Sequence, residues 1–233
     1  MASISVKALH LYTSPLSGCS ARIRIAAGLK SIPLIYHNID ISQSEQTSSS
    51  YLAVNPNGSV PSLLITSSGN DNTAPSSYTI TQSAAILDFL ESQYPSPRLI
   101  PKAADYQNRA KVMELASLVA CDIQPPQNSR IRKKIATEYG GNAEDWARYV
   151  YERGFGVYEK FVERGRLNGA DGRYSVGDQV TLADVFLVPA AQGGLRVGID
   201  LDKWPLTKTI VEECWKIEAF RLGGLGGHGR LEP

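Results

Sequence analysis

The spacing of apolar residues changes near the middle of the chain. In the first part Val6, Ala8, His10 and Tyr12 recur at every second position, the period of a strand. Pro15 and Gly18 then mark a loop, and Ser20 is a candidate cap for a helix carrying Ala21, Ile23, Ile25 and Ala26. Ile32 to Ile39 predicts a second strand, with Pro33 at its start or on an edge. The Ser- and Gln-rich stretch from Ser42 to Ser50 reads as a loop or a ragged helix. Ser62 to Ile65 and Tyr78 to Ile80 predict two more strands, joined by a long polar hairpin loop from Ser67 to Ser77. Ile86, Phe89 and Leu90 share one face of a helix that opens near Thr81 to Ser83.

Beyond Tyr94 the period is helical throughout. Pro95, Pro97 and Pro101 form a linker. Asp105 to about Gln124 is one helix, stopped or kinked by Pro125-Pro126. Gln127 to Tyr139 carries Arg130, Arg132, Lys133 and Lys134, a solvated face. Glu144 to Arg166 has core aromatics at helical spacing. Thr181-Leu182-Ala183-Asp184 fits a capping box with Asp in place of Glu, and the apolar run Ala183 to Ala191 predicts a deeply buried helix after it. Thr207 to Phe220 is a last helix, followed by a Gly-rich irregular tail. The chain therefore reads as an α/β domain over 1–93, a linker over 94–104 and an all-helical domain over 105–233.

Three junctions carry candidate chemistry. Ser17, Gly18, Cys19 and Ser20 lie where the first strand hands over to the first helix. Backbone N–H groups without intrahelical partners, and the helix dipole, favour an anion there. Arg22 and Arg24 add positive charge one turn further on. Two readings stand on this stretch alone: a device that holds or generates a thiolate, and a Ser-rich cap with one incidental cysteine. At Val60-Pro61, a cis bond would free the Val60 backbone to pair with an extended peptide-like ligand, whereas a trans proline would simply open the strand. Gln82 and Ser83 occupy a second strand-to-helix junction, another cradle for a carboxylate.

Composition narrows the classes. The 233 residues carry a formal charge of +1, which argues against a broad surface for nucleic acid or anionic lipid. The opening M-A-S-I-S-V-K-A-L-H lacks the apolar core of a secretory signal, and no run reaches membrane-spanning length. Three dispersed cysteines, Cys19, Cys121 and Cys214, predict a reducing, cytoplasmic compartment without a disulfide framework. His10, His37 and His228 lack metal-ligand spacing, so no metal site is expected.

The order of these features resembles a cytosolic glutathione transferase, a thioredoxin-like domain followed by a helical bundle. It most resembles the zeta class, whose members include maleylacetoacetate isomerase. The zeta signature S-S-C-x-x-R-[IV]-R reads S-G-C-S-A-R-I-R here. The likeness continues through N-P-x-x-x-V-P, the Gln82-Ser83 pair, I-Q-P-x-Q-N at Ile123 to Asn128 and V-G-D-x-V-T-x-A-D at Val176 to Asp184. It departs at Gly18, where the family has serine, at Ala21 and in the Gly-rich tail, and these departures bear on substrate choice.

The resemblance implies glutathione as cofactor, a small acidic substrate and a homodimer. It implies that the Ser17 hydroxyl bonds the glutathione thiolate, with Gly18 and Cys19 beside it and Cys19 modulating the reaction. It assigns Gln46, Val60 and cis Pro61 to the tripeptide, Gln82 and Ser83 to its γ-glutamyl end, and Gln124 and Asn128 to the border of the site. Arg196 matches an arginine suited to the substrate carboxylate and the enolate. The implied reaction is cis-trans isomerisation of a maleylacetoacetate-type acid by thiolate addition, rotation and elimination, with glutathione transferase activity beside it. Two alternatives remain on the sequence: a Cys19-dependent glutathione thiol reductase, and a non-catalytic transferase-like binding module.

Overall fold

A computed structural model describes residues 6–67 and 76–227. The chain divides into two compact units, Met1–Pro97 with Leu222–Pro233, and Arg98–Arg221. The sequence pattern carried the helical domain to 233. Residues 222–227 instead belong with the first unit, and a buried arginine described below is the reason.

In the first unit, β1 (Val6–Thr13) leads through α1 (Gly18–Leu29) to β2 (Ile35–Asn38). A 3-10 turn at Glu45–Thr47 and the short α2 (Ser49–Leu52) precede β3 (Ser62–Ser67), β4 (Ser76–Thr81) and α3 (Ser83–Gln93). The sheet order is β2-β1-β3-β4. β2 runs parallel to β1, while β3 and β4 are antiparallel to their neighbours. The two strands of the hairpin extend to Ser67 and from Ser76, so the ends of the expected Ser67–Ser77 loop are strand, and 68–75 lie outside the described residues.

Alternation along β1 sorts its side chains. Leu9, Leu11 and Thr13 are buried, and with Leu63, Ile65, Ile23, Ile25, Ile86 and Leu90 they supply the core of this unit. His10 and Tyr12 lie on the opposite, half-buried face. There His10 Nδ1 sits 3.0 Å from His37 Nε2, and Tyr12 stacks on His37 at 4.7 Å and tilts against Tyr51 at 5.9 Å.

Helix α1 and its C-cap residue bury three cations. Arg22 and Arg24 are each 2% exposed and Lys30 8%. A buried ammonium needs its donors filled. Lys30 pairs with Glu91 at 2.7 Å and donates to the carbonyls of Tyr94 at 2.7 Å and Pro97 at 2.6 Å. This fixes the end of α1 to α3 and to the chain just before the unit boundary.

In the second unit, α4 (Tyr106–Ser117) continues as a π-helical turn over Leu118–Ile123. α5 (Ser129–Glu138), α6 (Ala143–Gly165), α7 (Leu182–Leu195) and α8 (Pro205–Trp215) follow. The expected helix from Thr207 to Phe220 is interrupted after Trp215 and resumes as α9 (Glu218–Gly223). α7 is buried through most of its length and opens with the capping box of Thr181 and Asp184. Asp184 is 0% exposed. Its Oδ2 accepts from the Thr181 N–H at 2.7 Å and the Thr181 hydroxyl at 2.9 Å, and its Oδ1 from the Ser175 N–H at 2.9 Å.

Candidate functional site

Strand register gathers the candidate residues of the first unit. Tyr12 pairs with Ser62, and Ser62 pairs with Thr81. The C-terminal end of β1, the N-terminal end of β3 and the C-terminal end of β4 therefore share one edge of the sheet. From that edge emerge the loop to Ser17, the Val60-Pro61 step and the Gln82-Ser83 junction.

Ser17, not Ser20, caps α1. Its Oγ accepts from the Ser20 N–H at 3.1 Å. Both residues are serines in one Ser-rich run, so local propensity does not separate them. Filling an acceptor position of Ser17 leaves its hydroxyl proton available to donate outward. The first turn of α1 contains no acidic residue, so no side-chain carboxylate competes for its N–H groups. Ser17 and Cys19 are half-buried, with Gly18 buried between them.

The Val60–Pro61 bond is cis. Among the described residues neither the Val60 N–H nor its carbonyl has a backbone partner. The approach to this step is braced: the Tyr51 hydroxyl donates to the Ser59 carbonyl at 2.7 Å and Asn55 Nδ2 donates to it at 2.6 Å. Gly58, at φ +56°, closes the preceding turn against Gln46: a Cβ there would lie 3.2 Å from the Gln46 carbonyl oxygen. Gln46 Oε1 is buried and has no hydrogen-bond partner among the described residues. Such an atom is costly unless something fills it.

Gln82 holds φ +70°, ψ 121° at the mouth of α3, a strained conformation for a residue with a Cβ. It turns the chain so that Ser83 begins the helix, again with no acidic residue in the first turn. The Ser83 Oγ is 3.0 Å from Arg22 Nη1, which donates to it. A buried guanidinium thus stands behind the α3 mouth and links it to α1. Sequence reasoning counted Arg22 and Arg24 only as charge. Their apolar neighbours on both sides, A-R-I-R-I-A-A, are the signal that could have marked them as buried.

Three candidates belong to the second unit. Gln124 follows the π-helical turn and is half-buried, its carbonyl accepting from Gln127 Nε2 at 3.3 Å. Asn128 caps α5, its Oδ1 accepting from the Ile131 N–H at 3.2 Å. Arg196 is the exposed C-cap residue of α7.

Comparison with known proteins follows the same division. Residues 16–93 match "Glutathione S-transferase, N-terminal domain" and residues 145–218 match "Glutathione S-transferase, C-terminal domain". The chain is 40% identical over 215 residues to a maleylacetoacetate isomerase of Emericella nidulans, spanning 91% of this chain and 90% of that protein. Its fold is similar to a holo maleylpyruvate isomerase described as a bacterial zeta-class glutathione S-transferase, with TM-score 0.82, 32% identity and coverage of 94% and 98% of the two chains. It is also similar to a maleylacetoacetate isomerase of Anaeromyxobacter dehalogenans crystallised with glutathione in its active site, with TM-score 0.81, 32% identity and coverage of 95% and 96%.

Proposed function

Because the chain belongs to the glutathione S-transferase family, we propose that it is a glutathione-dependent cis-trans isomerase of maleylacetoacetate-type acids, with accompanying transferase activity. The observation that carries this reading is the shared sheet edge, from which Ser17, Val60 and Ser83 emerge together. The residues there suit the tripeptide. Val60 offers a backbone N–H and C=O for antiparallel pairing, and Gln46 Oε1 accepts a ligand N–H. Ser83, backed by Arg22, holds the γ-glutamyl carboxylate at the mouth of α3. When bound, glutathione supplies the sulfur nucleophile that adds to the substrate double bond and is later expelled, so that rotation about a single bond intervenes.

Ser17 donates its hydroxyl proton to the sulfur and, with the open first turn of α1, favours the ionised thiol near neutral pH. Gly18 lets the backbone approach closely, and Cys19 modulates the site from its second position on α1. Arg196 pairs with the substrate carboxylate and stabilises the developing enolate. Gln124 and Asn128 border the acidic-substrate site. No protein general base is needed. The domain limits we assign are 1–93 for glutathione binding and 105–221 for the helical part, with 222–227 returning to the first. The protein acts in the cytoplasm as a homodimer. Among the described residues no helix is long and apolar enough to cross a membrane.

The test is isomerisation of maleylacetone with and without glutathione, in the parent chain and in Ser17→Ala and Cys19→Ala. Turnover that needs glutathione, falls in Ser17→Ala and survives in Cys19→Ala supports the reading. Dependence on Cys19 alone would favour thiol reductase chemistry. Absence of glutathione uptake would leave a non-catalytic module.

A further inference from the structure

The Gly-rich segment that begins at the last residue of α9 is tied to the first unit by Arg24. Arg24 Nε donates to the Gly223 carbonyl at 3.0 Å and Nη2 to the Gly224 carbonyl at 2.8 Å. Nη1 of the same guanidinium donates to Thr13 Oγ1 at 2.9 Å and to the Ser14 carbonyl at 3.0 Å. That Ser14 oxygen also accepts the N–H of Ser17 at 3.1 Å. One residue further along the loop, the Pro15 carbonyl accepts the N–H of Gly226 at 2.9 Å. The tail therefore grips the loop that carries Ser17 at two successive carbonyls, once through Arg24 and once directly.

The grip needs glycine. A Cβ on Gly223 would lie 2.6 Å from the Ile25 nitrogen and 2.9 Å from the Arg24 carbonyl carbon, both backbone atoms of α1. Gly226 adopts φ +84°, which side-chain-bearing residues rarely hold. Burial lowers the Arg24 pKa to about 10, so the guanidinium keeps its charge at neutral pH, and its four neutral oxygen partners are what hold it in place.

We propose that Gly223–Gly227, clamped by Arg24, is a strap that positions Ser17 for thiolate stabilisation, with Arg24 as a positioning residue. This rests on the role given to Ser17 above. A hydroxyl acting on a developing anion works only when held to a fraction of an ångström. The strap bonds the Pro15 carbonyl directly and the Ser14 carbonyl through Arg24, so slackening the strap moves the donor without removing it.

The experiment compares the full chain with chains ending at Gly227 and at Leu225, and with Arg24→Lys. The Leu225 chain keeps both carbonyls that Arg24 uses and loses the Gly226 N–H. Glutathione affinity, the ultraviolet absorbance of its bound thiolate against pH, kcat on maleylacetone and melting temperature are read on each. Relative to the Gly227 chain, the Leu225 chain should retain glutathione but lose thiolate fraction at neutral pH and kcat together, each by about tenfold. Arg24→Lys, which keeps the charge and loses the fork, should shift the same two readouts the same way. If the two shortened chains titrate alike, or only melting temperature falls, the strap is structural and the inference is overturned. A full chain that takes up no glutathione would instead overturn the assigned function, a separate result.

Discussion

Two helix beginnings, one in each unit, use the same local chemistry to opposite ends. At α7 the cap is closed. Asp184, three positions after Thr181, turns back and accepts three donors, two of them on Thr181 itself. At α1 the cap is open. Ser17 serves the N–H of Ser20, but the position matching Asp184 is Ser20 itself, which has no carboxylate to return. The difference is that α7 fills its first turn with an acid of its own, whereas α1 leaves its first turn without one. Both helices are deeply buried, so burial alone does not distinguish them.

The largest expected effect comes from breaking the closed cap. Asp184→Ala leaves two N–H groups and a hydroxyl buried without their acceptor, and should lower stability by about 3 kcal/mol or more, read by chemical denaturation. Thr181 variants should be milder. Breaking the open cap costs function instead. Ser17→Ala should reduce kcat/KM for isomerisation on the order of 100-fold, while the lost cap costs only about 1 kcal/mol of stability; equal losses of stability in the two variants would erase the contrast.

Converting one cap into the other sharpens it further. Ser20→Asp gives α1 the acid that α7 has, and the new carboxylate should weaken glutathione binding roughly tenfold by occupying the helix mouth. Calorimetric titration reads this, and unchanged affinity would mean that the first turn of α1 does not meet the ligand.

The smallest effect separates the units by pH. Both histidines among the described residues, His10 and His37, lie in the first unit. Burial, then the neighbouring His10, lowers the His37 pKa below its ordinary 6.5. The unfolded chain then binds the proton more readily than the folded one. This contribution is therefore present above about pH 6.5 and is lost as pH falls below it. Hydrogen exchange at pH 7 and pH 5 should show the first unit loosening at the lower pH, with His37→Asn flattening the response.

Much of this was legible in the residues. The change from two-residue to helical spacing marked the two kinds of unit. Val60-Pro61 announced a junction through its proline, Thr181 to Asp184 through its capping pattern, and Gln82-Ser83 through its place between a strand and a helix. What was not legible depended on distant partners. Arg22 meets Ser83 across 61 positions, and Lys30 meets carbonyls 64 and 67 positions on. A charged residue in an apolar run gives no sign of which oxygens will enclose it. The choice of Ser17 over Ser20 as cap turned on one hydrogen bond between neighbours of equal propensity. The positive φ of Gln82 could not be read from glutamine, which rarely adopts it.

The reach of Arg24 sets the order in which this protein can be finished. Its carbonyl partners lie 199 and 200 positions downstream. A nascent chain leaving the ribosome presents β1, α1 and the rest of the sheet long before Gly223 and Gly224 have been made. The amino-terminal half therefore waits, with a cation lacking those two acceptors, until translation has passed Gly224.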